Sequence, residues 1–245
     1  MRESSFLNCA ILATMLSAAC ASGGPLLDGS NAYRNKDYAL ALDRFNQSCA
    51  LREGLGCTML GYMYFNGQGV KQDQVQALTQ FKKGCELNDP TACYNLGQAY
   101  FNAQGTNQDY VSAAKFYEKS CDAKVFKGCT NLGMMYYNGH GMAQNFEKAR
   151  DLLEKACDGN DALGCNGLGL MYVNAQSVKQ DYIKARELFT KACDGGAAQG
   201  CTNLGSIYAN GAGVPTDRAR AKELFSKSCK MGLKEGCNAL GQLPR

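Results

Sequence analysis

DYIKARELFTKACDGGAAQGCTNLGSIYANGAGVPT, residues 181–216, is one copy of a pattern that returns every 36 residues. Its cysteines, Cys193 and Cys201, have counterparts at Cys49/Cys57, Cys85/Cys93, Cys121/Cys129, Cys157/Cys165 and Cys229/Cys237, so twelve of fourteen cysteines fall in six equally spaced pairs. A period of this length, held without insertion from residue 37 onward, marks a repeat solenoid, in which each unit buries its apolar face only by stacking on its neighbours. It overrides the one or two ordinary domains that 245 residues would suggest. The units are expected at 37–72, 73–108, 109–144, 145–180 and 181–216, with a truncated sixth at 217–245.

Each unit opens on Asp37, Asp73, Asp109, Asn145, Asp181 or Asp217, residues whose side chains accept hydrogen bonds from the free amides of a first helical turn. Ala41, Ala77, Ala113, Ala149, Ala185 and Ala221 follow four residues on. Phe45, Phe81, Tyr117, Leu153, Phe189 and Phe225 come four after those. This i, i+4, i+8 stripe predicts a first helix of about three turns, ending near the first cysteine. After a short link such as Asp194-Gly195-Gly196, a second helix carries the second cysteine, a Leu-Gly pair from Leu60-Gly61 to Leu240-Gly241, and Tyr64 through Tyr208. A helical glycine costs on the order of 1 kcal/mol relative to alanine, so its recurrence at one position points to a tight helix crossing. Asn66-Gly67, Asn138-Gly139 and Asn210-Gly211 mark the turn into the next unit. The predicted fold class is all-α, an αα-hairpin solenoid. Residues 22–36 are read as a linker and a lone leading helix, covering the open end of the first unit.

Residues 181–214 resemble a Sel1-like repeat, a relative of the tetratricopeptide repeat. The cysteine pair in every unit further resembles the Helicobacter cysteine-rich proteins, a secreted family that carries a β-lactamase label. The likeness covers residues 37–245; Ala103, Ala175 and Ser177 stand where other units have loop glycines. It implies a superhelix that binds a protein or peptide on its concave face. By family label alone, it implies a rival reading as a β-lactam hydrolase.

A hairpin brings the two cysteines of each unit to opposite sides of one turn, so six local disulfides are expected, although spacing does not prove connectivity. Each such loop contributes about 2.5 kcal/mol on the chain-entropy estimate. Zinc sites favour closer Cys or Cys/His spacing, and thioredoxin-like chemistry wants two intervening residues rather than seven. The single histidine, His140, lies in a turn away from any cysteine pair. No metal or other cofactor is expected.

Residues 1–21 read as a secretory signal peptide, with an apolar run from Cys9 to Ala21 too short to span a bilayer comfortably. Cleavage after Ala21 and lipidation of Cys20 are the two exits, the second giving the chain its only expected attachment to a membrane. Either exit exports the chain to a compartment where cysteines pair. A net charge of +4 is too mild for a nucleic-acid partner, and the chain is expected to be monomeric.

Ser112-Ala113-Ala114-Lys115 matches the Ser-x-x-Lys nucleophile motif, but no Ser-Asp-Asn or Lys-Thr-Gly partner accompanies it. Lactam hydrolysis on a metal needs several histidines. No catalytic residue is therefore assigned. One charge pattern stands out instead. Lys148/Arg150, Lys184/Arg186 and Arg220/Lys222 recur at 36-residue intervals, whereas Leu42, Leu78 and Ala114 hold the second of these places earlier. Lys148 with Asp151, Lys184 with Glu187 and Arg220 with Glu223 are spaced as i, i+3 pairs, and Arg150 with Glu154 as i+4. First helices line the concave groove in tetratricopeptide relatives, so Arg150, Arg186 and Lys222 are the candidate binding row, suited to a peptide with an acidic group.

Overall fold

The computed structural model describes residues 23–243, and every regular element among them is helical. The proposed leader, its Cys20 and the final Pro244-Arg245 lie outside the described residues. The helices divide between two units, one ending at Gln108 and one beginning at Asp109. The first holds α1 (Gly24–Arg34), α2 (Tyr38–Ala50), α3 (Gly54–Asn66), α4 (Gln74–Glu86) and α5 (Pro90–Asn102). The second holds α6 (Tyr110–Asp122), α7 (Phe126–Asn138), α8 (Phe146–Asp158), α9 (Ala162–Val173), α10 (Tyr182–Asp194), α11 (Ala198–Asn210), α12 (Arg218–Lys230) and α13 (Lys234–Gln242).

The capping reading holds at all six first helices. Asp37, Asp73, Asp109, Asn145, Asp181 and Asp217 each accept a backbone amide of the first turn. Such a cap is worth about 1 kcal/mol, and it fixes where each first helix begins. Where the loop glycines are replaced, the turn keeps its left-handed geometry: Ala103, Ala175 and Ser177 sit at φ 58°, 55° and 58°. A side chain there costs roughly 1–2 kcal/mol, so packing dictates these turns more strongly than local preference.

Two close approaches set the helix geometry. Within a hairpin, the residue before the first cysteine faces the residue before the second, and in every pair at least one of the two is glycine. A Cβ on Gly164 would lie 2.6 Å from the Ala156 Cβ, and one on Gly236 would lie 2.5 Å from the Ser228 hydroxyl. The second repeat inverts the arrangement: there the glycine is Gly84 on the first helix, and its Cβ would lie 2.8 Å from that of Ala92. Between repeats of the same unit, the large apolar side chain of a first helix packs against the Leu-Gly glycine of the preceding second helix. Cβ atoms added to Gly169 and Gly205 would each stand 2.6 Å from the rings of Phe189 and Phe225, and Gly61 meets Phe81 in the same way. These rings are almost completely buried.

The leading helix α1 obeys the same rule. Gly29 is buried, and its Cβ would fall 2.7 Å from the Phe45 ring. Its glycine therefore lets α1 stand in for the second helix that a preceding repeat would supply.

Gly241 provides a built-in control, because it occupies the Leu-Gly position but has no atom within 4 Å of an added Cβ. Gly169→Ala is expected to destabilise the protein by about 1–3 kcal/mol through overpacking against Phe189. Gly241→Ala is expected to be neutral, or stabilising by up to about 1 kcal/mol, through helix propensity. Urea denaturation of the two variants checks this; equal effects would remove the ring contact as the reason for the glycine.

Candidate functional site

The hairpin close approach brings paired cysteines within bonding range. Cys49–Cys57, Cys85–Cys93, Cys121–Cys129, Cys157–Cys165, Cys193–Cys201 and Cys229–Cys237 are disulfides, with Cα–Cα separations of 4.4 to 4.7 Å. The four central bridges are buried at both ends. Cys49 is only half-buried, Cys229 likewise, and Cys237 is exposed. Among the described residues, no group of three or more His, Cys, Asp or Glu side chains is placed to hold a metal.

The charge row resolves into three different situations. Arg150 is half-buried and already occupied. Its Nη2 and Nε donate to Asp151 Oδ1 at 2.8 and 3.1 Å, and its Nη1 donates to the Ser177 carbonyl at 3.1 Å. The hydrogen bond to Asp151 raises its pKa above the usual arginine value. The i+4 pairing with Glu154 does not form, because the guanidinium turns towards Asp151 and the left-handed turn at Ser177. Lys148, deprived of Asp151, lies over the Tyr136 ring at 5.1 Å from its centroid. Lys184–Glu187 and Arg220–Glu223 pair as expected. Arg186 and Lys222 make no ion pair among the described residues; Arg186 is half-buried and Lys222 exposed.

The first unit shows what lies beside this helix position. Leu78, the repeat equivalent of Arg150, lines a small cavity of about 100 Å³ with Tyr62, Phe65, Phe81, Gln98 and Gln104. Hydrophobic periodicity marks Leu78 only as a surface leucine, since the cavity is made by three helices that meet in space. Asn95 closes its floor by donating to the Tyr62 hydroxyl at 2.8 Å.

The Ser-x-x-Lys match lies on the first turns of α6. The Ser112 hydroxyl donates to Asp109 Oδ2 at 2.6 Å, and the Ser112 amide donates to Oδ1 at 3.0 Å. Both bonds hold the Asp109 carboxyl below its usual range. The hydroxyl is thus part of the helix cap, and a carboxylate so stabilised is a poor base for activating it. His140 stacks on Tyr110, with centroids 5.2 Å apart and planes 14° from parallel, which gives it a packing role in its turn.

The Sel1 repeat family matches residues 54–89, 90–125, 127–161, 162–196 and 198–233. Its frame runs from the second helix of one hairpin to the first of the next, so the contact of Gly61 with Phe81 falls inside a single family unit. A Sel1 repeat protein from Oxalobacter formigenes superposes over 88% of both chains with a TM-score of 0.82 and 26% identity. The protein c5321, a protective antigen present in uropathogenic Escherichia coli strains, covers 89% of this chain and 48% of its own, with a TM-score of 0.77 and 28% identity. Beta-lactamase HcpA of Helicobacter pylori is 40% identical over 45 residues, 18% of each chain. The chain therefore matches less than a fifth of the length of that curated relative.

Exposure orders the disulfides by access to an attacking thiolate. Stepwise reduction, with alkylation of freed thiols read by mass spectrometry, should open Cys229–Cys237 first and Cys49–Cys57 next, ahead of the four buried bridges. A buried bridge opening first would contradict this ordering.

Proposed function

The chain belongs to the Sel1 repeat family, and on that premise we propose that it is an exported scaffold that holds an acidic protein or peptide segment along its first helices, at Arg186 and Lys222. A Sel1 repeat scaffold suits protein interaction. Six disulfides support export to an oxidising compartment. The observation that carries the choice of face is that two successive repeats place a cation without an ion pair at the same helix position, while the neighbouring Lys184 and Arg220 are neutralised on their own helices. Equivalent residues of adjacent repeats lie side by side in a stack, so Arg186 and Lys222 present paired positive charge to a ligand crossing them. Arg150 clamps its own loop through Asp151 and Ser177, so its part is to hold that end of the surface in shape. Charge at such a face steers and orients a partner more than it stabilises the fold.

A fluorescent glutamate-rich peptide is expected to bind in a salt-sensitive manner. In Arg186→Glu/Lys222→Glu its affinity at low salt should fall at least about tenfold, roughly 1.4 kcal/mol, while the melting temperature barely moves. Equal binding by the double variant would place the interaction face elsewhere.

A second reading, β-lactam hydrolysis, is favoured by the name of the relative HcpA alone. If the chain turns over a penicillin, Ser112 and Lys115 are the residues to test. Our reading expects Ser112→Ala and Lys115→Ala to leave any such turnover unchanged. Loss of turnover with the fold intact would make the Ser-x-x-Lys match catalytic and displace the scaffold reading.

A further inference from the structure

Ion pairs join the first helices of adjacent repeats at two places, and at a third the acid they need is not encoded. On α8, Lys155 reaches Asp122 at the end of α6, at 3.4 Å; on α12, Lys227 reaches Asp194 at the end of α10, at 3.5 Å. The corresponding lysine on α4 is Lys83, and the corresponding residue at the end of α2 is Ala50 rather than an acid. Lys83 therefore has no counterpart of the acid that Lys155 and Lys227 reach. A cleft of about 530 Å³ lies between α2 and α4, lined by Ala50, Lys83, Arg52, Gln80 and the half-buried Cys49. Leu60 and the Cys49–Cys57 bridge give it an apolar floor.

Two cations border this cleft against one carboxylate, Glu86. Neither the Lys83 nor the Arg52 side chain makes an ion pair or a hydrogen bond among the described residues. Arg52 is held in the hairpin turn at φ 65°, so its guanidinium starts from a fixed point of the backbone. A planar guanidinium beside an ammonium matches a carboxylate, which the first binds in fork geometry and the second as a point charge. The apolar floor strengthens that attraction relative to an open surface.

We infer that the cleft between α2 and α4 is a binding site for a carboxylate-bearing peptide, with Arg52 and Lys83 holding a carboxylate in place of the acid that Asp122 and Asp194 supply at the equivalent position. The site lies in the unit ending at Gln108 and is separate from Arg186 and Lys222.

The test supplies that acid from the protein itself. Triglutamate is titrated into the oxidised full chain carrying Arg186→Glu/Lys222→Glu, followed by residue-resolved NMR, with triglutamine and inorganic phosphate as parallel probes. Triglutamate should saturate, with shifts centred on Arg52, Gln80 and Lys83, and triglutamine should not. Adding Ala50→Asp, an acid already tolerated at this position as Asp122 and Asp194, should weaken triglutamate at least tenfold without lowering the melting temperature; Lys83→Gln should do the same. Unchanged affinity in Ala50→Asp, equal binding of triglutamine, or an absence of saturation would overturn the inference. Phosphate binding as tightly as triglutamate would overturn the carboxylate assignment in favour of a general oxyanion site. Because the background lacks Arg186 and Lys222, failure here leaves the face proposed above untouched.

Discussion

The closeness of helix to helix is the constraint on which the rest depends. Within each unit, where a first helix packs on the second helix before it, a large buried side chain rests on a glycine, as Phe189 does on Gly169 and Leu153 on Gly133. A methyl group at that glycine would force the helices apart, and packed interiors cannot absorb such a shift without loss elsewhere. The same intimacy inside each hairpin carries the cysteines to within bonding distance. The disulfides therefore fix a spacing that small residues have already made, and they limit what the unfolded chain can explore.

This geometry decides which charges are available for other work. At two repeats an acid at the end of one first helix neutralises a lysine on the next, Asp122 with Lys155 and Asp194 with Lys227. Surface pairs of this kind add little stability, typically less than 1 kcal/mol. At Lys83 the partner position holds Ala50 rather than an acid, and at Arg186 and Lys222 the residues four places on are Thr190 and Ser226.

Most of the architecture was legible in the sequence because it is written in periods. The caps from Asp37 to Asp217, the Ala and Phe stripe, and the cysteine spacing each translate directly into local geometry. What escaped reading depends on which residues meet across space. Glu154 has the right spacing for Arg150, but Asp151 and the Ser177 carbonyl together make a better site for the guanidinium. Gly29 looks like a flaw in a helix until Phe45 is seen against it. The gap at Ala50 gains meaning only once Lys155 and Asp122 show that these two repeat positions face one another.

The exchanged pair in the second repeat has a further consequence. Gly84 and Ala92 reverse the order of small residues found elsewhere, so the limit applies to the pair as a whole and to neither residue alone. A gene duplication or recombination event that moves whole hairpins preserves every such pair. One that breaks between the two helices, joining the Ala156 half of one hairpin to the Ala92 half of another, would set two methyl groups where there is room for one. Exchange inside a hairpin is thus restricted at the second repeat, whose Ala92 half needs a glycine such as Gly84 opposite it, whereas the other second helices bring their own glycine.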